Sequence, residues 1–132
     1  MLSKACPLFV PLVEEGPVWW ENEVAYKIAL EYLSSLKNEE IDTLVLGCTH
    51  YPLLKKVIAS VMGSEVKLVS SAYEAAKAVK RIVDKNGMNR DEKNKPVYKY
   101  YTSDSVEKFE PLCSAILNVE INSAEKIDIE KY

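Results

Sequence analysis

Apolar residues along this chain alternate between helical spacing and short continuous runs, and proline, glycine or polar residues close each block. Val24, Ala25, Ile28, Ala29, Tyr32, Leu33 and Leu36 share one stripe, with Glu21, Glu23, Lys27 and Glu31 mostly off it. This predicts a helix over 22–37, ended by Lys37-Asn38-Glu39-Glu40. Thr43-Leu44-Val45-Leu46-Gly47 is a short unbroken apolar run, the pattern of a parallel strand buried on both faces. After the turn Cys48-Thr49-His50-Tyr51, Pro52 opens a second helix with Leu53, Leu54, Val57, Ile58, Val61 and Met62 inward, and Gly63 closes it. Val66-Lys67-Leu68-Val69 predicts a second strand. Ser70 or Ser71 can cap a third helix whose core face is Ala72, Ala75, Ala76, Val79, Ile82 and Val83.

Two segments depart from this rhythm. Ala5–Pro17 is apolar but carries Pro7, Pro11 and Pro17, and predicts extended chain or loop. Met88–Pro96 is polar and predicts a surface linker. Beyond it, Val97-Tyr98-Lys99-Tyr100-Tyr101 predicts a strand. Ser103 or Asp104 can then cap a helix bearing Val106, Phe109, Leu112, Cys113, Ile116 and Leu117, and Ile121, Ile127 and Ile129 mark a last short strand. The alternation of helices and strands implies an α/β fold, a parallel sheet with crossover helices.

Composition adds exclusions. In 132 residues, 48% apolar and 28% charged, the chain has the make-up of an ordinary globular domain rather than a disordered tail, a collagen-like fibre or a coiled-coil rod. Seventeen Lys and Arg against twenty Asp and Glu give a net charge of −3, without the basic footprint of a nucleic-acid binder. No apolar run reaches the ~20 residues of a membrane span, and Met1–Cys6 has no signal-peptide core. The expectation is a soluble cytoplasmic protein. Cys6, Cys48 and Cys113 cannot all pair with one another, which suits a reducing compartment, and no metal-ligand spacing is present.

The stretch with chemistry in it is Gly47-Cys48-Thr49-His50-Tyr51-Pro52. It places a thiol at the carboxyl end of a buried strand, where open α/β sheets bind ligands. The following helix start favours a thiolate and a carboxylate ligand. His50, the chain's only histidine, stands two residues from Cys48 and can act as its acid/base partner. By spacing alone each residue also has a plain structural reading. Cys6 and Cys113 read as small core hydrophobes, Glu14-Glu15 as a solvated pair, and Trp19-Trp20 as packing surface.

Gly47-Cys48-Thr49-His50-Tyr51-Pro52-Leu53 resembles the second cysteine motif of glutamate racemases, of the aspartate/glutamate racemase family. Ala5-Cys6-Pro7-Leu8-Phe9-Val10-Pro11-Leu12-Val13-Glu14 resembles another segment of that family, in the right order and at the right distance. Tyr100-Tyr101-Thr102-Ser103-Asp104 with Phe109, and Ala124-Glu125-Lys126-Ile127-Asp128, resemble its later segments.

The resemblance implies a cofactor-independent two-base racemase of two flavodoxin-like α/β lobes, each supplying one cysteine. One thiolate removes the substrate's α-proton and the other thiol returns a proton to the opposite face. By that resemblance Cys48 is one base and His50 its helper, Thr49 and His50 lie against the substrate, and Glu14 assists. The product, D-glutamate, feeds peptidoglycan synthesis. The family's early Asp-Ser-Gly and Cys-Asn-Thr motifs are absent, so the chain reads as the C-terminal half. The resemblance assigns 1–87 to the second lobe, 88–96 to a linker, and 97–132 to a strand-helix-tail segment packing on the first lobe. Without that lobe, the segment carrying Tyr98, Tyr100 and Tyr101 is expected to pack poorly or to borrow a neighbour as a homodimer or swapped dimer. The alternatives are a racemase of aspartate or another amino acid, a non-catalytic carboxylate-binding or interaction module, and a cysteine hydrolase using Cys48 and His50. The hydrolase has the least support, since no oxyanion-hole motif is readable.

Overall fold

A computed structural model describes residues 1–91 and 93–131. The chain divides into two compact units, Met1–Asn89 and Arg90–Tyr132.

The first unit begins differently from the extended segment expected. Helix α1 spans Phe9–Glu14, and a 3-10 turn follows at Pro17–Trp19. The prolines permit this because each sits where an N–H is dispensable. Pro11 is the third residue of α1, and the first intrahelical bond is the next one, from Leu12 N to the Leu8 carbonyl at 3.2 Å. Pro17 is the first residue of its turn. Phe9, Leu12 and Val13 are buried along one side of α1.

Helix α2 covers Glu23–Lys37, with the Asn22 side chain accepting the Ala25 N–H at 2.9 Å. Ala25, Ala29, Leu33 and Leu36 are buried as the stripe predicts, while Val24 at its margin is exposed. Strand β1 is Thr43–Leu46 and β2 is Lys67–Ser70, paired in parallel with Leu44 opposite Leu68 and Leu46 opposite Ser70. Between them a 3-10 turn, Tyr51–Leu54, leads into α3, Lys55–Met62, which ends at Gly63 with φ 92°. The α2–α3 pair buries Leu33, Leu36, Val57, Ile58 and Val61, with Leu54 of the preceding turn, in one core with Leu46 of β1 and Phe9, Leu12 and Val13 of α1. Each such aliphatic side chain stabilises the unit by roughly 1.5–3 kcal/mol.

The expected two-sided sheet is covered on one face only. Leu46 is buried, but Val45 is 59% exposed. Helix α4, Ser71–Lys85, is capped by Ser70, whose Oγ accepts the Tyr73 N–H at 3.3 Å. None of its residues is buried, so its expected core face lies open, with Val79 59% and Ile82 58% exposed. The helix is amphipathic, but its apolar stripe is not the core face expected. Among the described residues of this unit nothing packs over it.

In the second unit the expected 97–101 strand shrinks to β3, Tyr101–Thr102, paired in parallel with β4, Glu125–Lys126. Val97 and Tyr98 are exposed, because a two-residue pairing supplies no ladder for the rest of the aromatic run. Helix α5 spans Val106–Leu117 and contains Pro111, which removes one intrahelical bond. Its cap is Ser105, not Ser103 or Asp104. Thr102 Oγ1 accepts the Asp104 N–H at 3.1 Å and holds those residues in a turn, and Ser105 Oγ then accepts the Lys108 N–H at 3.3 Å. The face expected to be core, from Val106 to Leu117, is half-buried or exposed throughout, and among the described residues of the unit Ile121 is the buried apolar one.

Candidate active site

β1 ends at Leu46, and Gly47 passes the chain into a tight turn that lifts Cys48, Thr49 and His50 above the strand's carboxyl end. The turn is closed by its own backbone: Tyr51 N–H donates to the Cys48 carbonyl at 3.3 Å and Leu53 N–H to the His50 carbonyl at 3.1 Å. Ser71, at the equivalent end of β2, donates its hydroxyl to the Leu46 carbonyl at 3.2 Å and ties the two strand ends together.

His50 is the centre of the arrangement. Its Nδ1 lies 3.7 Å from Cys48 Sγ and 3.3 Å from Thr49 Oγ1. Its Nε2 lies 3.4 Å from Glu14 Oε1. A carboxylate facing Nε2 favours the tautomer with its proton there, leaving Nδ1 free to accept from the Cys48 thiol. The thiol, imidazole and carboxylate thus form a chain along which a proton can be taken from sulfur or returned to it. Cys48 and His50 are half-buried, whereas Glu14 is exposed, so water screens its influence.

Two contacts that the residue pattern did not reveal hold this geometry. Tyr51 donates its hydroxyl to the Cys6 carbonyl at 3.4 Å, joining the turn to the chain just before α1. Its ring meets Phe9 edge-to-face at 5.3 Å and 90°, and Phe9 meets Tyr32 of α2 at 5.6 Å and 86°. The sequence signal was the aromatic residue beside His50, which reads equally well as ordinary helix-start packing. Glu14 reaches His50 because it ends a helix rather than lying in a loop.

Of the residues singled out from sequence, Cys48, Thr49, His50 and Glu14 come together. Cys6 is buried, 3% exposed, in the core beneath α1, and burial pushes its thiol above the ordinary value while Lys4 pulls slightly the other way. Cys113 is a half-buried residue of α5. Trp20 packs on the core and donates its indole N–H to the Val13 carbonyl at 2.9 Å, and Trp19 is more exposed. A cavity of about 550 Å³ runs along β1 from Asp42 to Cys48, with Cys6, Phe9 and Tyr51 in its wall. Among the described residues no group of three or more His, Cys, Asp or Glu could hold a metal ion, and no helix is long and apolar enough to cross a membrane.

A parallel α/β lobe with a thiol and an imidazole at the carboxyl end of a strand, backed by a carboxylate from a neighbouring helix, defines a class of site in which a proton can move on and off sulfur. No protein-family model matches the chain. Among curated proteins it is 43% identical to a glutamate racemase of Geobacter metallireducens, over 98% of this chain and 47% of that protein. Among solved structures, glutamate racemase from Francisella tularensis in complex with D-glutamate superposes with a TM-score of 0.84 and 32% identity, over 98% of this chain and 48% of that one. Glutamate racemase from Thermus thermophilus in complex with beta-chloro-D-alanine gives 0.83 and 35%, over the same shares. The chain is homologous to glutamate racemases over nearly its whole length, and it spans about half the length of the curated relatives it matches.

Proposed function

We propose that this chain supplies one of the two acid/base faces of a cofactor-independent glutamate racemase. The observation that carries the proposal is the run from Cys48 Sγ to His50 Nδ1 at 3.7 Å and from His50 Nε2 to Glu14 Oε1 at 3.4 Å, in a chain homologous to racemases. Cys48, as thiolate, takes the α-proton of one glutamate enantiomer. The C–H bond breaks as S–H forms, and a second thiol on the opposite face gives its proton to the α-carbon. In the reverse direction Cys48 is the donor. His50 accepts the Cys48 proton before Cys48 acts as base and releases it to water once the thiol has been reformed by the α-proton; in the reverse direction, protonated His50 gives its proton to the thiolate left when Cys48 has acted as donor. Glu14 orients the ring. Thr49 and His50 line the substrate. The α-proton beside a carboxylate is weakly acidic, so a prepositioned base shielded from water is required.

In this reading the second thiol lies in the half of the relatives' length that this chain does not span. Residues 1–87 belong to one lobe, 88–96 link, and 97–132 pack with the other lobe. The product, D-glutamate, feeds peptidoglycan synthesis in the cytoplasm. These 132 residues alone do not invert glutamate, because one face has no base. Circular dichroism of L- or D-glutamate tests this. The chain joined to the missing half of the Geobacter metallireducens racemase should racemise glutamate, and Cys48→Ala should abolish it. Racemisation that survives Cys48→Ala would refute the assignment. Glutamate binding without turnover would favour a non-catalytic carboxylate-binding module, and inversion of aspartate in preference to glutamate would favour the other substrate.

A further inference from the structure

His50 Nδ1 is faced by two donors and can accept from one. With the proton of a neutral imidazole held on Nε2 toward Glu14, Nδ1 carries a single lone pair. The Thr49 hydroxyl lies 3.3 Å from it and the Cys48 thiol 3.7 Å. A hydroxyl is a good donor and a thiol a weak one. The closer and stronger donor holds the nitrogen, and while it does the thiol keeps its proton. Among the described residues the hydroxyl's own partner is His50 Nδ1, and Thr49 is exposed whereas Cys48 and His50 are half-buried. The hydroxyl is therefore free to turn toward an acceptor arriving from solvent. It has one proton to donate. A carboxylate takes that proton in a charge-assisted hydrogen bond, roughly twice as strong as a neutral one, and Nδ1 then falls to the thiol.

We propose that the Thr49 hydroxyl is a competing donor that keeps the Cys48 thiol off His50 Nδ1 until a carboxylate ligand draws the hydroxyl away. Thr49 is then a positioning residue, acting through the imidazole. Deprotonation of the thiol is tied to an occupied site. When the hydroxyl turns onto the carboxylate, the S–H proton passes to Nδ1 and the electron pair left on sulfur can act as base. An empty site leaves sulfur protonated and slow to react with electrophiles. The proposal rests on the reading of Cys48 as a base toward an amino-acid carboxylate, and it names what arms that base.

Alkylation of the full chain tests this, with two reagents that differ by a carboxylate. Iodoacetamide is neutral, and iodoacetate brings the carboxylate with it. In both, the S–C bond forms as C–I breaks, iodide leaves and the thiol proton goes to His50. Rates at Cys48 are read by peptide mass spectrometry, with Cys113 in the same sample as the reference for each reagent. Thr49→Val keeps the shape of an exposed side chain and removes its hydroxyl. It should speed iodoacetamide at Cys48 about fivefold, the factor that one neutral hydrogen bond contributes, and leave iodoacetate no faster. Thr49→Ser should behave as the unchanged chain. The gain should vanish when His50→Ala is added to Thr49→Val, because the hydroxyl acts through the imidazole. An unchanged iodoacetamide rate in Thr49→Val overturns the proposal. So does a gain that persists without the imidazole, or one shared equally by the two reagents. Glutamate racemisation by the chain joined to the missing half of the Geobacter metallireducens racemase is scored separately. The alkylation pattern without racemisation leaves the competing hydroxyl standing and defeats the racemase reading. Racemisation without the pattern does the reverse.

Discussion

Phe9 is the side chain on which the site's geometry should depend most. It is 1% exposed and touches α2 through Tyr32 and the Cys48–His50 turn through Tyr51, while its own helix carries Glu14. Truncating a fully buried phenylalanine costs about 3–5 kcal/mol. Of that, the two edge-to-face contacts account for about 1–3 kcal/mol, at roughly 0.5–1.5 each. At about 0.05–0.15 kcal/mol per residue, the unit Met1–Asn89 has a total stability of about 4–13 kcal/mol. Phe9→Ala should therefore remove a large part of it, and Phe9→Leu, which keeps most of the volume but no ring edges, about 1–3 kcal/mol. Urea titration followed by fluorescence of Trp19 and Trp20, both in this unit, reads the loss. A cost below about 1 kcal/mol for Phe9→Ala, or equal costs for the two variants, would refute the claim that this ring joins α1 to the turn.

Other consequences follow from the same contacts. Burial raises the Cys6 thiol above its ordinary value of 9.0, so the folded state holds a proton that the unfolded state releases; stability should fall as pH rises from about 9. In urea titrations across pH 8–10, Cys6→Ala should flatten that fall, leaving the steeper loss at higher pH where Tyr51, also raised mainly by burial, begins to titrate. Iodoacetamide should modify half-buried Cys48 well before Cys6, which mass spectrometry of partial reactions would show; the reverse order would place Cys6 at the surface. Asn22→Ala should cost about 1 kcal/mol by leaving the Ala25 N–H unpaired at the start of α2, readable in the same urea titration.

The parts legible in the sequence were those decided locally. The α2 stripe, the Gly63 terminus, the parallel strands and the cap at Ser70 each follow from periodicity or from one residue's backbone chemistry, and all are present. The proline-rich segment is helical against expectation, because proline breaks a helix only where it removes an N–H that the helix uses. Pro11 removes one the helix does not use. The coverage of β1 and α4 departs from expectation for another reason, whereas the exposure of Val97, Tyr98 and Tyr101 agrees with the poor packing expected of that run. Periodicity says which face is apolar, and only tertiary partners say whether it is buried. At the site, the Cys48–His50 pairing was legible from their spacing. Bringing Glu14 within reach of His50, across 35 residues of intervening sequence, needed both the resemblance and the fold.

The central claim is that Cys48 serves one face of the substrate, and hydrogen exchange at the α-carbon tests it most directly. The chain would be joined to the unmatched half of the Geobacter metallireducens racemase with the cysteine expected there to serve the opposite face replaced by alanine, and L- and D-glutamate followed separately in D2O by proton NMR. The account predicts loss of the α-proton signal for one enantiomer only, without inversion, and none for either after Cys48→Ala. Exchange of both enantiomers at similar rates, or exchange that persists without the Cys48 thiol, would contradict it.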